Sequence, residues 1–203
     1  SNDFIDSYIE QNDISQKYKI VRNVSPELLA QTLANGNILA RCSGRMEFGV
    51  RALGNRSILA DPRKSATVHK INAAIKFRDF WMPFTPTILS ERAIDYIQNP
   101  KNLECPHMTM AFDSTDLARE HIPAGIHQAD FTMRPQILEK HHNPSYYKLI
   151  KEFEKITGVG ALLNTSFNLH GDAIVLGPKE AFYTLENSAL DGLILEDFLF
   201  LRK

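Results

Sequence analysis

Hydrophobic and polar positions along this 203-residue chain follow two periods, one helical and one extended, and they alternate. "NPSYYKLIKEFEKITG" carries Tyr146, Ile150, Phe153 and Ile156 at helical spacing. Asn143 stands where a cap belongs, Pro144 opens the segment and Gly158 follows it, which together predict an amphipathic helix packed on a core. "SPELLAQTLANGN" predicts a second, shorter helix, with Ser25 as cap, Pro26 at the first position and Gly36 past the end. "SATVHKINAAIK" predicts another, with Ser65 as cap and Val68, Ile71 and Ile75 on one face, and "ERAIDYI", "STDLAREH" and "GPKEAFYTLENSA" add three more. The runs "NILARC", "PTILS", "HMTMAF", "GIHQAD", "GALLNTS", "AIVL" and "GLILEDFLFL" read as strands. Strands interleaved with helices predict one α/β domain with a mixed sheet.

Composition narrows the class. Hydrophobic residues make up 43% and charged residues 23%, values of a globular chain long enough for one substantial core. No apolar run approaches the roughly 18 residues that cross a bilayer, and no basic-then-apolar leader opens the sequence, so a cytoplasmic protein without a membrane span is expected. Cys42 and Cys105 have no Cys-x-x-Cys spacing and predict free thiols. The opening Ser1-Asn2 fits an excised domain with a tag remnant in front.

The net charge of −1 conceals an asymmetry: residues 41 to 78 hold nine Lys or Arg against Glu47 and Asp61, while the remainder holds 14 basic and 22 acidic residues. A basic island in an acidic chain favours a focused anion site over a broad nucleic-acid surface. Three segments rich in hydrogen-bonding side chains accompany it. "SGRMEFGVRALGNRS" reads as a long loop with Arg45, Arg51 and Arg56 beside Gly44, Gly49 and Gly54. "IKFRDFWMPFTP" sets Lys76 and Arg78 two residues apart, which in an extended segment aims two cations at one spot. "LLNTSFNLHGD" carries an apolar strand into Asn164, Thr165, Ser166 and Asn168. Plainer readings stand beside these: a loop arginine can pair with a carboxylate such as Glu47, and the strand end can be an Asx or Ser/Thr turn. Phe80, Trp81 and Phe84 can be core, and His141-His142 a polar loop without metal-ligand spacing.

Taken together, "GRMEFGVRALGNRSILADPR", "NAAIKFRDFWMPFTP" and "LLNTSFNLHGDAIV" resemble the C-terminal, YrdC-like domain of the NodU/CmcH/TobZ carbamoyltransferase family, from about residue 35 to 190. The Lys76-x-Arg78 and Ser166-x-Asn168 pairs look like the Lys-x-Arg and Ser-x-Asn pattern of YrdC-like domains. The resemblance implies a twisted mixed parallel/antiparallel sheet flanked by helices over residues 35–203, with residues 1–34 a linker or domain edge. It implies ATP-dependent activation of carbamoyl phosphate to carbamoyl-adenylate, with magnesium carried by ATP and no metal held by this domain. Transfer to a substrate hydroxyl would then fall to an actin-like N-terminal domain of the same polypeptide. Lys76, Arg78, Ser166 and Asn168 would be catalytic, and Arg45, Arg51, Arg56, Arg134, Asn164 and Thr165 would bind nucleotide or phosphate. Lys76 and Arg78, as cations at a site rim, would contribute little to folding. "HQADFTMRPQ" matches a family stretch through His127, Asp130, Thr132, Arg134 and Gln136. Two positions depart from the family pattern: Val50 stands where proline is usual, and Phe131 where glycine is usual, which would block close approach of a ligand. Threonylcarbamoyl-adenylate synthesis for tRNA modification, and an RNA-binding module, are the alternatives, with nucleic acid the less favoured partner.

Overall fold

The computed structural model describes residues 2–76 and 82–203, so Arg78, Phe80 and Trp81 lie outside the described residues. Ten strands occur among those described: β1 (Tyr18–Val21), β2 (Leu39–Cys42), β3 (Arg56–Ala60), β4 (Thr85–Leu89), β5 (Phe112–Asp113), β6 (Thr132–Met133), β7 (Gln136–Leu138), β8 (Ala161–Ser166), β9 (Gly192–Leu195) and β10 (Phe198–Arg202). Eight form one sheet in the order β1-β10-β9-β2-β3-β8-β4-β7, in which β9/β2 and β4/β7 are parallel and the other neighbours antiparallel; β5 and β6 pair separately. The helices are α1 (Asn2–Gln11), α2 (Ile14–Lys17), α3 (Pro26–Ala34), α4 (Ala66–Ile71), α5 (Ala93–Tyr96), α6 (Asp116–His121), α7 (Pro144–Thr157) and α8 (Pro178–Glu186). No helix among the described residues is long and apolar enough to cross a membrane.

Alternation along the central strands sends side chains into two cores. Leu59, Leu162, Ile194 and Leu199 meet Leu29 and Leu33 of α3 and Tyr146, Leu149, Ile150 and Phe153 of α7. Ile58, Leu163, Leu193 and Phe200 meet Ile5 and Ile9 of α1, Ile71 and Ile75, Phe84, and Phe182 and Leu185 of α8. Helices therefore cover both faces of a mixed sheet, the architecture expected from the sequence. Residues 2–34, expected as linker or domain edge, supply an edge strand, since β1 pairs with β10, and three of the helices that bury apolar side chains.

The helix signals hold where side chains can act as caps. Ser25 accepts from the Leu28 amide and Asn143 from the Tyr146 amide, and Gly158 closes α7 at φ 76°. Ser65 does not cap: its backbone is itself helical and its side chain makes no capping bond. Ile156 is 43% exposed, and Leu149 replaces it in the buried stripe of α7. "GIHQAD" and "AIVL" are not strands, only Phe112 of "HMTMAF" lies in one, and "GLILEDFLFL" is a hairpin turning at Glu196, whose φ is 49°. β3 is absent from the expected strands because its polar start, Arg56 and Ser57, reads as loop; its antiparallel neighbours β2 and β8 hold it extended.

Two backbone positions explain local sequence choices. Gly54 has φ 116°, and a Cβ there would lie 2.3 Å from the Tyr146 ring, so the loop entering β3 rests directly on α7. Phe131, where the family has glycine, has φ 57°. A positive φ is by itself a reason for glycine at that position; Phe131 holds the strained conformation with its ring under the Arg119 guanidinium at 4.6 Å. Gly54→Ala should lower stability by about 2–5 kcal/mol through strain and overlap, against about 1–2 kcal/mol for Gly171→Ala, where φ is also positive but space is open; urea denaturation measures both. In the same assay Phe131→Gly should stay within about 1 kcal/mol of the parent, relief of φ offsetting the lost cation–π contact, whereas Phe131→Val should cost about 1–2 kcal/mol.

Candidate active site

β8 lies between β3 and β4, and its last residues are the polar run Asn164, Thr165 and Ser166. Ser57 faces Ser166 across one ladder, while Leu59 and Thr85 face Asn164 across the two ladders. Backbone groups are thus largely satisfied by the sheet, which leaves the side chains to find partners above its end.

Lys76 is one of them. After α4 the chain widens into a π-helical turn over Asn72–Lys76, a rare geometry that recurs at functional sites. The turn delivers the Lys76 ammonium to β8: Nζ donates to Ser166 Oγ at 3.1 Å, to Asn168 Oδ1 at 2.6 Å and to the Asn168 carbonyl at 3.3 Å. Ser166 Oγ in turn donates to Asn168 Oδ1 at 2.7 Å. Asn168 is anchored by donating to the carbonyls of Leu169 and Asp172. Three of the four residues expected to be catalytic therefore meet, and Arg78 lies outside the described residues. Two expectations about Lys76 fail. It sits in a helical turn, not an extended segment, and it is only 3% exposed, so it is part of the packed structure and not a rim cation.

Beside this cluster opens a cleft of about 80 Å³ lined by Arg51, Ala52, Pro83, Thr85, Met108, Arg134, Asn164, Thr165 and Ser166, with Val50 at its lip. Arg51 and Arg134 are exposed, and neither forms an ion pair or hydrogen bond with another described residue. Arg134 arrives from a turn built by the His-containing stretch. Asp130 Oδ1 accepts from the amide and hydroxyl of Thr132 and contacts His127 Nδ1 at 3.0 Å, and the Thr132 amide holds the Asp130 carboxyl below its usual range. Gln136, two residues beyond Arg134, is buried and donates to the Leu53 carbonyl.

The arginine-rich loop divides by role. Arg56 is buried, and its guanidinium donates to the carbonyls of Ser43, Gly44, Asn55 and Leu176. All its directions are used in holding the loop, so it is a structural clamp and not the phosphate ligand expected. Arg45 is exposed and does not line the cleft. Glu47, a possible partner of these arginines, accepts instead from the amides of Leu53 at 2.6 Å and Asn55 at 2.7 Å, folding the loop on itself. Elsewhere in the basic island, buried Arg41 donates to the Gly54 carbonyl and Ser145 Oγ, and Arg63 pairs with Asp61 at 2.7 Å. Much of the positive charge counted in the sequence is thereby spent on the fold. Thr87 and Gln136, which brace Asn164, and Met108 and Pro83, which wall the cleft, were not singled out as site residues; for Thr87 the only signal was a polar side chain inside an apolar strand.

Burial pushes the Cys42 thiol up to about 11, and both cysteines are free and buried, which removes them as nucleophiles. Among the described residues no group of three or more His, Cys, Asp and Glu could hold a metal ion. A larger groove of about 640 Å³, lined by residues including Ile94, Ile97, Leu103 and Ile137, contains Glu104 as its single ionisable side chain and brings together none of the motif residues.

The chain is similar to known proteins in sequence and in structure. Residues 30–202 match the family described as Carbamoyltransferase C-terminus. The chain is 42% identical over 186 residues to an uncharacterised protein of Methanocaldococcus jannaschii, covering 92% of this chain and 30% of the relative. It is 39% identical over 171 residues to nodulation protein NolO of Bradyrhizobium diazoefficiens, covering 84% and 31%, so it spans about a third of the length of these relatives. In structure it resembles full-length HypF in a phosphate- and nucleotide-bound form (TM-score 0.57, 15% identity, 91% of this chain and 22% of HypF) and a Sua5 variant of P. abyssi (TM-score 0.56, 12% identity, 85% and 46%). The sheet and its helices are the YrdC-like fold of those neighbours. Motif order, sheet topology and the family match converge on one conclusion: this chain belongs to the carbamoyltransferase C-terminal family.

Proposed function

We propose that this domain activates carbamoyl phosphate with ATP, forming carbamoyl-adenylate for an O-carbamoyltransferase whose hydroxyl-transfer site lies in a further domain of the same polypeptide. In balance, carbamoyl phosphate, ATP and water give carbamoyl-adenylate, pyrophosphate and inorganic phosphate, the carbamoyl–phosphate linkage and the α–β link of ATP both being broken. The observation that carries the reading is the meeting of Lys76 with Ser166 and Asn168 beside a cleft that Ser166 lines and whose exposed cations are Arg51 and Arg134.

Both substrates are polyanions that repel each other, so their reacting ends come together only where fixed positive charge is aimed at them. Lys76 supplies a charge already desolvated and oriented by three acceptors, which makes it costly to reorganise and well suited to charge that develops during transfer. Arg51 and Arg134 supply planar forks that suit phosphate oxygens. The Ser166 hydroxyl, polarised by Asn168, offers a directional contact beside them. Magnesium, on this reading, arrives with ATP and is held by its phosphates. The cleft of about 80 Å³ takes the reacting ends and not a whole nucleotide.

Arg51→Ala and Arg134→Ala should leave the melting curve within about 0.5 kcal/mol of the parent because both side chains are exposed. Each should weaken binding of ATP or carbamoyl phosphate by roughly ten- to a hundredfold, the loss of one charge-assisted contact. Titration calorimetry reads the affinity, and unchanged binding in both variants would remove these arginines from the site. Lys76→Met keeps the buried stem but removes the ammonium, taking a donor from Ser166 Oγ and from both oxygens of Asn168. It should cost about 1–3 kcal/mol of stability and abolish carbamoyl-phosphate-dependent exchange of labelled pyrophosphate into ATP. A folded Lys76→Met protein with full exchange would sink the proposed chemistry.

A further inference from the structure

Asn164 is 1% exposed and lines the cleft from its position on β8. Its amide nitrogen is fully committed, donating to the Ala52 carbonyl at 3.2 Å, to Thr87 Oγ1 at 3.2 Å and to Gln136 Oε1 at 3.4 Å. The orientation of that amide is chemically determined. A backbone carbonyl can only accept, and Thr87 Oγ1 already gives its proton to Gln136 Oε1 at 2.9 Å, so the nitrogen and not the oxygen faces this network. The other end of the amide, Oδ1, is buried and receives no hydrogen bond from any described residue. Only Asn72 Oδ1 and Tyr146 OH share that condition among the described side chains, and neither residue lines the cleft. A buried carbonyl oxygen held rigidly without a donor marks a place where a donor belongs.

The required ligand chemistry follows. Phosphate oxygens at neutral pH are acceptors, so Oδ1 would repel them, and the expected phosphate-binding role of Asn164 does not fit its geometry. A purine base carries an amino group, but a cleft of about 80 Å³ lies far below the roughly 300–1,000 Å³ of sites that enclose larger ligands. A small planar group with an N–H₂ at one end and an anionic phosphate at the other matches both the orphan acceptor and the two exposed arginines. We propose that Asn164 Oδ1 accepts a hydrogen bond from the carbamoyl amino group, making Asn164 the specificity-determining residue that selects carbamoyl phosphate over acyl phosphates bearing a methyl in its place. The inference rests on carbamoyl phosphate being the substrate. Asn164, Thr87, Gln136 and the Ala52 carbonyl form the support, and the selection comes from the penalty of leaving Oδ1 unpaired when a methyl group faces it.

The test uses two stable probes, phosphonoacetamide and 2-oxopropylphosphonate, which differ by NH₂ against CH₃, titrated into the whole 203-residue protein by calorimetry. Phosphonoacetamide should bind more tightly by at least about tenfold, and folded Asn164→Leu protein should bind both within about threefold of each other. Equal affinities for the unmodified protein overturn the inference without reference to any variant, so a failure of Asn164→Leu to fold does not shield it. A preference for phosphonoacetamide that survives in folded Asn164→Leu also overturns it, because the selection then arises elsewhere. If neither probe binds while ATP does, the carbamoyl phosphate reading itself fails and takes the inference with it, an outcome distinct from equal binding.

Discussion

A strand in the interior of the sheet ends in a run of polar side chains, and the rest of the site is arranged around satisfying them. β8 is flanked by β3 and β4, so Asn164 cannot turn to water and Ser166 and Asn168 reach it only in part. Buried polar groups are costly unless paired, and each of these draws in a different part of the chain. Asn164 holds the Ala52 carbonyl of the arginine-rich loop together with Thr87 of β4 and Gln136 of β7. Ser166 and Asn168 hold Lys76. Four segments far apart in sequence are fixed to one strand end by hydrogen bonds whose loss would leave donors or acceptors stranded.

This arrangement separates two uses of positive charge. Arg41, Arg56 and Arg63 are consumed by carbonyls, a serine and a carboxylate, and they shape the loop and its neighbours. Glu47 does similar work from the acidic side by gathering loop amides. What remains is a small set, with Lys76 buried and oriented beside the cleft and Arg51 and Arg134 exposed on its lining. Such a division suits anion binding in general, since charges locked in a scaffold create a fixed field while exposed forks can close on an anion.

Much of the architecture was legible in local pattern. The helices with side-chain caps, α3, α6 and α7, and the apolar strands β2, β4 and β8 follow from spacing and end signals, because such elements are decided by interactions within a few residues. The segments misread as strands, such as "AIVL", are apolar because they pack against a core, not because they pair: Val175 is buried in the second core although it lies in no strand. β3 went unseen for the opposite reason, its polar first residues being extended only by neighbours on both sides. The hand of the backbone at Phe131 is likewise invisible in sequence, where a glycine in related chains suggests a ligand as readily as a turn.

For the site, the sequence by itself supplied, through a family resemblance, the pairs Lys76-x-Arg78 and Ser166-x-Asn168 and the loops that carry Arg51 and Arg134. Pairs of this kind are legible as short local strings because both members sit within one turn or strand end. Only the tertiary structure decided which arginines line the cleft, that Arg56 is a clamp, that Lys76 is buried at the end of a π-helical turn, and which end of the Asn164 amide is left without a hydrogen-bond partner. The physical reason is that a side chain's role depends on which partners compete for its donors and acceptors, and those partners, from Ala52 to Gln136, are brought within reach only when the sheet closes around β8.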